Sequence, residues 1–206
     1  ILSNRLKKLE MFFLNKYDYI IPISSKDSDY YVITGNQKPL LTAPFGVDLK
    51  KLQPDKLNKN YGNIIFIGAL DWIPNQKGLI WFIQNCWENI IKADNNIQLL
   101  IAGRNAPRWL IKIVQKKHQI KFLGEIENAN HFISNNGPLI VPLFAGSGVR
   151  VKIIEAMALK KCIISTSIGA EGIPCTDGKN IIIADTCDDF MKAIIRANND
   201  QAYQHK

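Results

Sequence analysis

Pro138-Leu139-Ile140-Val141-Pro142 runs through Leu143-Phe144-Ala145 into Gly146-Ser147-Gly148, and Val149-Arg150-Val151-Lys152-Ile153-Ile154-Glu155-Ala156-Met157-Ala158-Leu159 follows. A short apolar run closed by glycines and continued by a longer apolar stretch predicts strand, loop and helix. The unit recurs in both directions along the chain. Upstream, Asn63–Ile67 ends at Gly68, and Pro74-Asn75 opens a helix over Gln76–Ile91. Ile97–Ile101 ends at Gly103 before a helix near Arg108–Lys117, and Ile120–Leu123 ends at Gly124 before a short helix near Asn128–Ser134. Downstream come strands at Lys161–Ser165 and Asn180–Ala184 and a closing helix at Asp188–Asn198. Unalternated apolar strands interleaved with helices define an α/β fold, a doubly wound parallel sheet covered on both faces.

The first 47 residues have another rhythm. They predict a helix over Leu2–Leu14, a strand over Asp18–Ile23, a helix over Lys26–Thr34 and a short strand at Leu40–Thr42, ending in Pro44-Phe45-Gly46. The polar stretch Asp48–Asn60 reads as a linker. The expected organisation is therefore a partial α/β segment at 1–47, a linker at 48–60 and a complete domain at 61–206. The chain starts Ile1-Leu2-Ser3, which we read as a piece of something longer.

Composition narrows the function. With 206 residues, 47% apolar and 21% charged, the chain has the make-up of a globular protein. The net charge is +8, but 21 of the 26 basic residues are lysine, and Ile, Lys and Asn make up 72 residues. Those three share A/T-rich codons, so the surplus is mostly background. No aromatic–basic stripe accompanies it, which excludes nucleic acid as a partner. Cys86, Cys162, Cys175 and Cys187 form no CxxC pair, and His118, His131 and His205 stand apart from them, so neither zinc nor a disulfide scaffold is expected. No apolar run has the ~18 residues that suggest a membrane span.

Ligands of open parallel sheets bind where strands end and helices begin. Four strands here end in glycine: Gly68, Gly103, Gly124 and the pair Gly146/Gly148. The loop Ser147-Gly148-Val149-Arg150-Val151-Lys152 offers helix-start N–H groups, small residues and two bases, which suit a diphosphate. It is neither a Walker P-loop nor a complete GxGxxG. Glu155 interrupts a helix that is otherwise apolar; it either pairs with Lys152 three residues earlier or accepts hydrogen bonds from a ribose diol.

The stretch Ser147–Ala158 resembles the donor-site motif of retaining glycosyltransferases of family 4, which have the two-domain GT-B fold. Phe66-Ile67-Gly68-Ala69-Leu70-Asp71-Trp72-Ile73-Pro74-Asn75 with Gly78, Trp81 and Phe82 resembles the first loop and helix of their Rossmann-like donor domain. Ile101-Ala102-Gly103, Phe122-Leu123-Gly124-Glu125, Val141-Pro142-Leu143 and Ala170-Glu171-Gly172-Ile173 continue the series. Tyr17–Ser24 and Pro44–Asp48 resemble the end of the acceptor domain.

The resemblance implies roles. Gly148 and Val149 would give backbone N–H groups to the donor pyrophosphate, and Arg150 and Lys152 would supply charge. Glu155 would bind the ribose, Gly124 and Glu125 would border the base, and Gly68 the phosphates. Where the family has an arginine after the first glycine this chain has Ala69, so Lys77 is the candidate substitute. The first of the family's two glutamates, eight positions before Glu155, is Ser147.

The implied partners are a UDP-, GDP- or ADP-linked sugar and a glycan or lipid-linked acceptor, with no cofactor and no metal. The implied setting is the bacterial cytoplasm, with peripheral association of the full-length protein at the inner face of the membrane. The Ser147 and Ala69 departures motivate one alternative, a silent nucleotide-sugar scaffold or sensor; a sugar-nucleotide epimerase of related fold is another. Asp27-Ser28-Asp29 mimics a DxD metal motif but also reads as acids at a helix start. Trp72, Trp81 and Trp87 are assigned to the core.

Overall fold

The structure, a computed structural model, describes residues 2–53 and 62–200. The chain divides into two compact units after Gly46.

The first unit holds α1 (Leu2–Phe13) and α2 (Ser25–Ile33). Ser24 caps α2: its Oγ accepts from the Asp27 backbone N–H at 3.1 Å and donates to the Asp27 carboxylate at 2.6 Å. Asp27 is therefore occupied at the helix start, and the described residues contain no cluster able to hold a metal. The two strands expected here shrink to one parallel bridge, Ile20 opposite Leu40. Three backbone hydrogen bonds flank it: Ile20 to Pro39, Leu41 to Ile20 and Ala43 to Pro22. A bridge this short forms no sheet within the unit.

The second unit is the sheet. Its strands are β1 (Asn63–Ile67), β2 (Gln98–Ala102), β3 (Ile120–Gly124), β4 (Leu139–Val141), β5 (Ile163–Ser165) and β6 (Ile182–Ile183). All pair in parallel, in the order β3-β2-β1-β4-β5-β6. Between them run α3 (Ile73–Trp81), continued through a π-helical turn at Phe82–Cys86 into α4 (Trp87–Ala93), then α5 (Arg108–Gln115), α6 (Ala129–Asn135) and α7 (Val151–Ala158). The last helix is α8 (Cys187–Asn199). The fold is the doubly wound, Rossmann-like sheet expected from the sequence.

Strand side chains alternate between two cores. Ile64, Phe66, Leu99, Ile101, Ile140 and Ile164 face one core with Leu79, Phe82, Trp87, Leu110 and Phe190, contributed by α3 to α5, the π turn and α8. Ile65, Leu100, Ala102, Leu139, Val141 and Ile163 face the other with Ile133, Ile153 and Ala156 from α6 and α7. Leu52 is buried in the second core, so the first residues of the expected linker are packed, while 54–60 lie outside the described residues.

The helix expected over 76–91 begins at Ile73, with Pro74 in its first turn. The π turn adds one residue to the winding, so Trp87 joins the buried face, where its indole donates to the His118 carbonyl at 2.9 Å. Gly78 fixes how closely α3 approaches β4: a Cβ there would overlap the carbonyl oxygen of Pro142. Backbone against backbone cannot yield by a rotamer change. Gly78→Ala is expected to cost about 1–3 kcal/mol of stability, the range for over-packing, read as a lowered urea midpoint.

Candidate functional site

The order 3-2-1-4-5-6 reverses direction between β1 and β4, and a crevice opens at the carboxyl ends of strands at such a switch point. Helix α3 leaves β1 toward one core and α7 leaves β4 toward the other. The residues of interest are the loop from Gly68 to Trp72 after β1 and the loop from Pro142 to Arg150 after β4.

Lys152, in the first turn of α7, reaches across this reversal. Its Nζ donates to the carbonyl of Ile67 at 3.0 Å and stands 4.9 Å from the Phe66 ring centroid. A Cβ on Gly68 would lie 3.5 Å from the same nitrogen and 2.8 Å from Nδ2 of Asn75. The ammonium ion is enclosed and its pKa falls to about 7, first through lost hydration and then through Arg150. It forms no ion pair with Glu155, which overturns that reading of the i−3 spacing. No hydrogen bond or ion pair to the Glu155 carboxylate is present among the described residues, and burial raises its pKa.

Arg150 is not the solvated base that its loop position suggests. It is 8% exposed. Its Nη1 donates to the carbonyls of Ser147, at 2.7 Å, and Gly148. Its Nε and Nη2 are buried without a hydrogen-bond partner among the described residues. Burial lowers its pKa, against the opposing charge of Glu171. Gly146 and Gly148, at φ 115° and 85°, let the loop turn over this guanidinium. The N-cap of α7 is Arg150, and no side chain caps it; Ile153 N–H donates to the Arg150 carbonyl at 2.9 Å, which leaves the Val151 and Lys152 N–H groups for other acceptors.

The structure thus brings Gly68, Arg150, Lys152, Ser147, Gly148 and Val149 together at one edge, with Glu155 one turn further along α7. Gly103 serves packing, since a Cβ there would overlap the Gly68 carbonyl. Gly124 has φ 72° with open space around it, and Glu125 beside it is exposed. Lys77 lies exposed on α3 and makes no contact with Lys152 or Arg150 among the described residues.

Sequence reasoning missed two residues. Asn75, 5% exposed, donates to the Ala69 carbonyl at 2.9 Å and leaves its Oδ1 buried without a partner. Its place directly after Pro74 at a helix start was the available signal. Trp72 is corrected: Trp87 is core and Trp81 packs edge-on to Phe144 and Phe190, but Trp72 is 38% exposed over Arg150. Leu70, two residues earlier in the same loop, takes the buried position instead.

Fold and site define a Rossmann-like domain with two basic side chains, Lys152 and Arg150, at its switch point. The sequence model of the family Glycosyl transferases group 1 matches residues 62–200, and the chain belongs to that family. An uncharacterized 44.6 kDa protein in the cps region of Klebsiella pneumoniae is 32% identical over 149 residues, 68% of this chain and 38% of that protein. A mutant of S. aureus TarM in complex with Fondaparinux, alpha-GlcNAc-glycerol and UDP superposes with TM-score 0.79 at 16% identity, over 97% of this chain and 40% of that one. Anabaena HepE in complex with UDP and glucose gives TM-score 0.74 at 13% identity, over 96% and 58%. The chain therefore spans between 38% and 58% of the length of these relatives. No helix among the described residues is long and apolar enough to cross a membrane.

Lys152 makes stability depend on pH. Between about pH 7 and about 10.4 the unfolded chain carries a proton that folded Lys152 lacks, so this residue makes stability rise with pH across that window. Below pH 7 both states are protonated and the burial cost is constant. Lys152→Met is expected to remove this rise, seen as a shrinking difference between wild-type and variant pH profiles of the urea midpoint.

Proposed function

We propose that this chain is the donor-binding part of a retaining glycosyltransferase of family 4, which moves a sugar from a nucleoside diphosphate sugar to an acceptor hydroxyl. The observation that carries this reading is the meeting of Lys152, Arg150 and the uncapped start of α7 with the close backbone of Gly68. Two cations and free N–H groups, already oriented in a region of reduced dielectric, stabilise the negative charge that develops on a departing diphosphate without reorganising. In this reading no metal is needed. Glu155, without a protein partner, accepts from the ribose hydroxyls; Gly124 and Glu125 border the base; Gly148 and Val149 donate to the pyrophosphate. Lys77 has the least support, since it stands on the exposed side of α3.

The acceptor, a glycan or lipid-linked hydroxyl, would be held by a domain of which residues 1–46 are the end. In support, that unit leaves Leu6, Leu9, Phe12, Tyr19, Ile21, Ile33 and Leu41 exposed, an apolar surface that further chain would cover. The isolated chain then binds nucleotide and does not transfer sugar. The full-length protein would work in the cytoplasm, peripherally at the inner face of the membrane.

Calorimetry with UDP, GDP and ADP tests this. One of the three is expected to bind, with Lys152→Ala weakening it at least ~10-fold, the loss of about one charge-assisted contact. Failure of all three contradicts the reading.

Ser147 favours a second reading, a silent nucleotide-sugar scaffold. It is exposed where the family's first glutamate would stand, and its carbonyl is tied to Arg150. Transfer by a longer form of the protein, abolished by Glu155→Gln, would exclude that reading.

A further inference from the structure

Arg150 holds an unusual combination of committed and free donors. Nη1 is spent on the carbonyls of Ser147 and Gly148, while Nε and Nη2 are buried and unpartnered among the described residues. These two nitrogens are one edge of the guanidinium. Their N–H bonds run side by side, the geometry that grips a single oxyanion bidentately. Leaving that edge unpaired is costly, because buried donors lose water without gaining an acceptor.

Trp72 explains how the edge is held. The guanidinium carbon lies 5.4 Å from the Trp72 ring centroid, within the range of a cation–π contact. The indole comes from the loop after β1 and the arginine from the loop after β4, so the contact joins the two sides of the crevice. Gly146 makes the contact possible: a Cβ there would lie 3.0 Å from Arg150 Nη2 and 3.0 Å from Cη2 and Cζ2 of Trp72. The loop of Trp72 is itself anchored. Leu70 N–H donates to the Arg104 carbonyl at 2.9 Å, Gln76 to the Leu70 carbonyl at 2.7 Å and Asn105 to the Asp71 carboxylate at 2.9 Å. The platform is thus fixed independently of Arg150.

We infer that Trp72 is the positioning residue that fixes the Nε/Nη2 edge of Arg150, the cation that the proposed donor site sets against the diphosphate. The inference deepens the proposed donor site and rests on it. Charge alone does not suffice here. A lysine at 150 keeps the cation but has neither the side-by-side donors nor the flat face for the indole. Phenylalanine at 72 keeps a π face, whereas alanine leaves the guanidinium free to turn.

The test compares UDP, UMP and uridine by calorimetry on the intact chain, with GDP, GMP and guanosine where the wild type prefers that base. Arg150→Lys and Trp72→Ala are each expected to weaken UDP about 10-fold or more and to reduce the preference for UDP over UMP, while uridine affinity stays within about 2-fold. Trp72→Phe is expected to stay within about 3-fold of wild type for UDP. The double variant should lose little more than Arg150→Lys alone, because both changes remove one device. Urea midpoints identify any variant that fails to fold; for such a variant the Trp72→Phe and Arg150→Lys pair carries the comparison. If wild type binds UDP and Trp72→Ala binds it equally well, the inference is overturned and the donor site stands. Equal weakening of UDP and uridine would also overturn it, since that marks a structural role. If UDP, GDP and ADP all fail to bind the wild type, the donor-site reading itself falls.

Discussion

The pairing of β1 with β4 is the constraint on which the rest of the molecule depends. β1 is matched to β2 along its whole length, from Asn63 opposite Gln98 to Ile67 opposite Ala102, but to β4 only at Ile65 opposite Leu139. At this join the chain order reverses, and the helices that leave the two strands go to opposite faces of the sheet. Two loop ends are thereby exposed to each other with no helix between them. Gly78 against Pro142 and Gly103 against Gly68 are backbone contacts that set how closely the surrounding layers approach. Any side chain at either glycine would displace a carbonyl that borders the crevice.

The crevice then collects cations that the fold holds only at a cost. Lys152 gives up most of its hydration for one carbonyl, that of Ile67, and a ring face, that of Phe66. Arg150 spends one nitrogen on its own loop and leaves two unsatisfied. Neither arrangement maximises the stability of this chain by itself. In the donor-site reading we propose, both hold favourable interaction for an anion, since a buried donor without an acceptor gains more from a phosphate than a solvated one does. The fold supplies this poise through ordinary means: an uncapped helix, two left-handed glycines and an indole.

Much of this was legible in the sequence. Glycine-bounded apolar runs marked four of the six strands, because a strand buried on both faces carries few polar residues. The glycines and bases from Ser147 to Lys152 marked the turn from β4 into α7. Boundaries shifted by a few residues, as at β5 and β6, where the flanking Cys162 and Ala184 make single backbone hydrogen bonds to Leu139 and Ser165 but fall outside the strands. The short strands of residues 18–23 and 40–42 were over-read: they meet in a single bridge, Ile20 opposite Leu40, too short to form a sheet. The partners of side chains were illegible. The spacing of Lys152 and Glu155 fits an intrahelical pair, but the Ile67 carbonyl comes from 85 residues away in sequence. Trp72 read as core because composition cannot tell a buried indole from one that covers a guanidinium.

A crystal structure of this chain grown with UDP tests the central claim most directly. The account predicts the diphosphate between Gly68 and the first turn of α7, within hydrogen-bond reach of Lys152 Nζ, the Nε/Nη2 edge of Arg150 and the Gly148 and Val149 N–H groups. A diphosphate bound elsewhere, for instance on the exposed Arg108 and Lys112 of α5, with Lys152 and Arg150 keeping only their present partners, would contradict it.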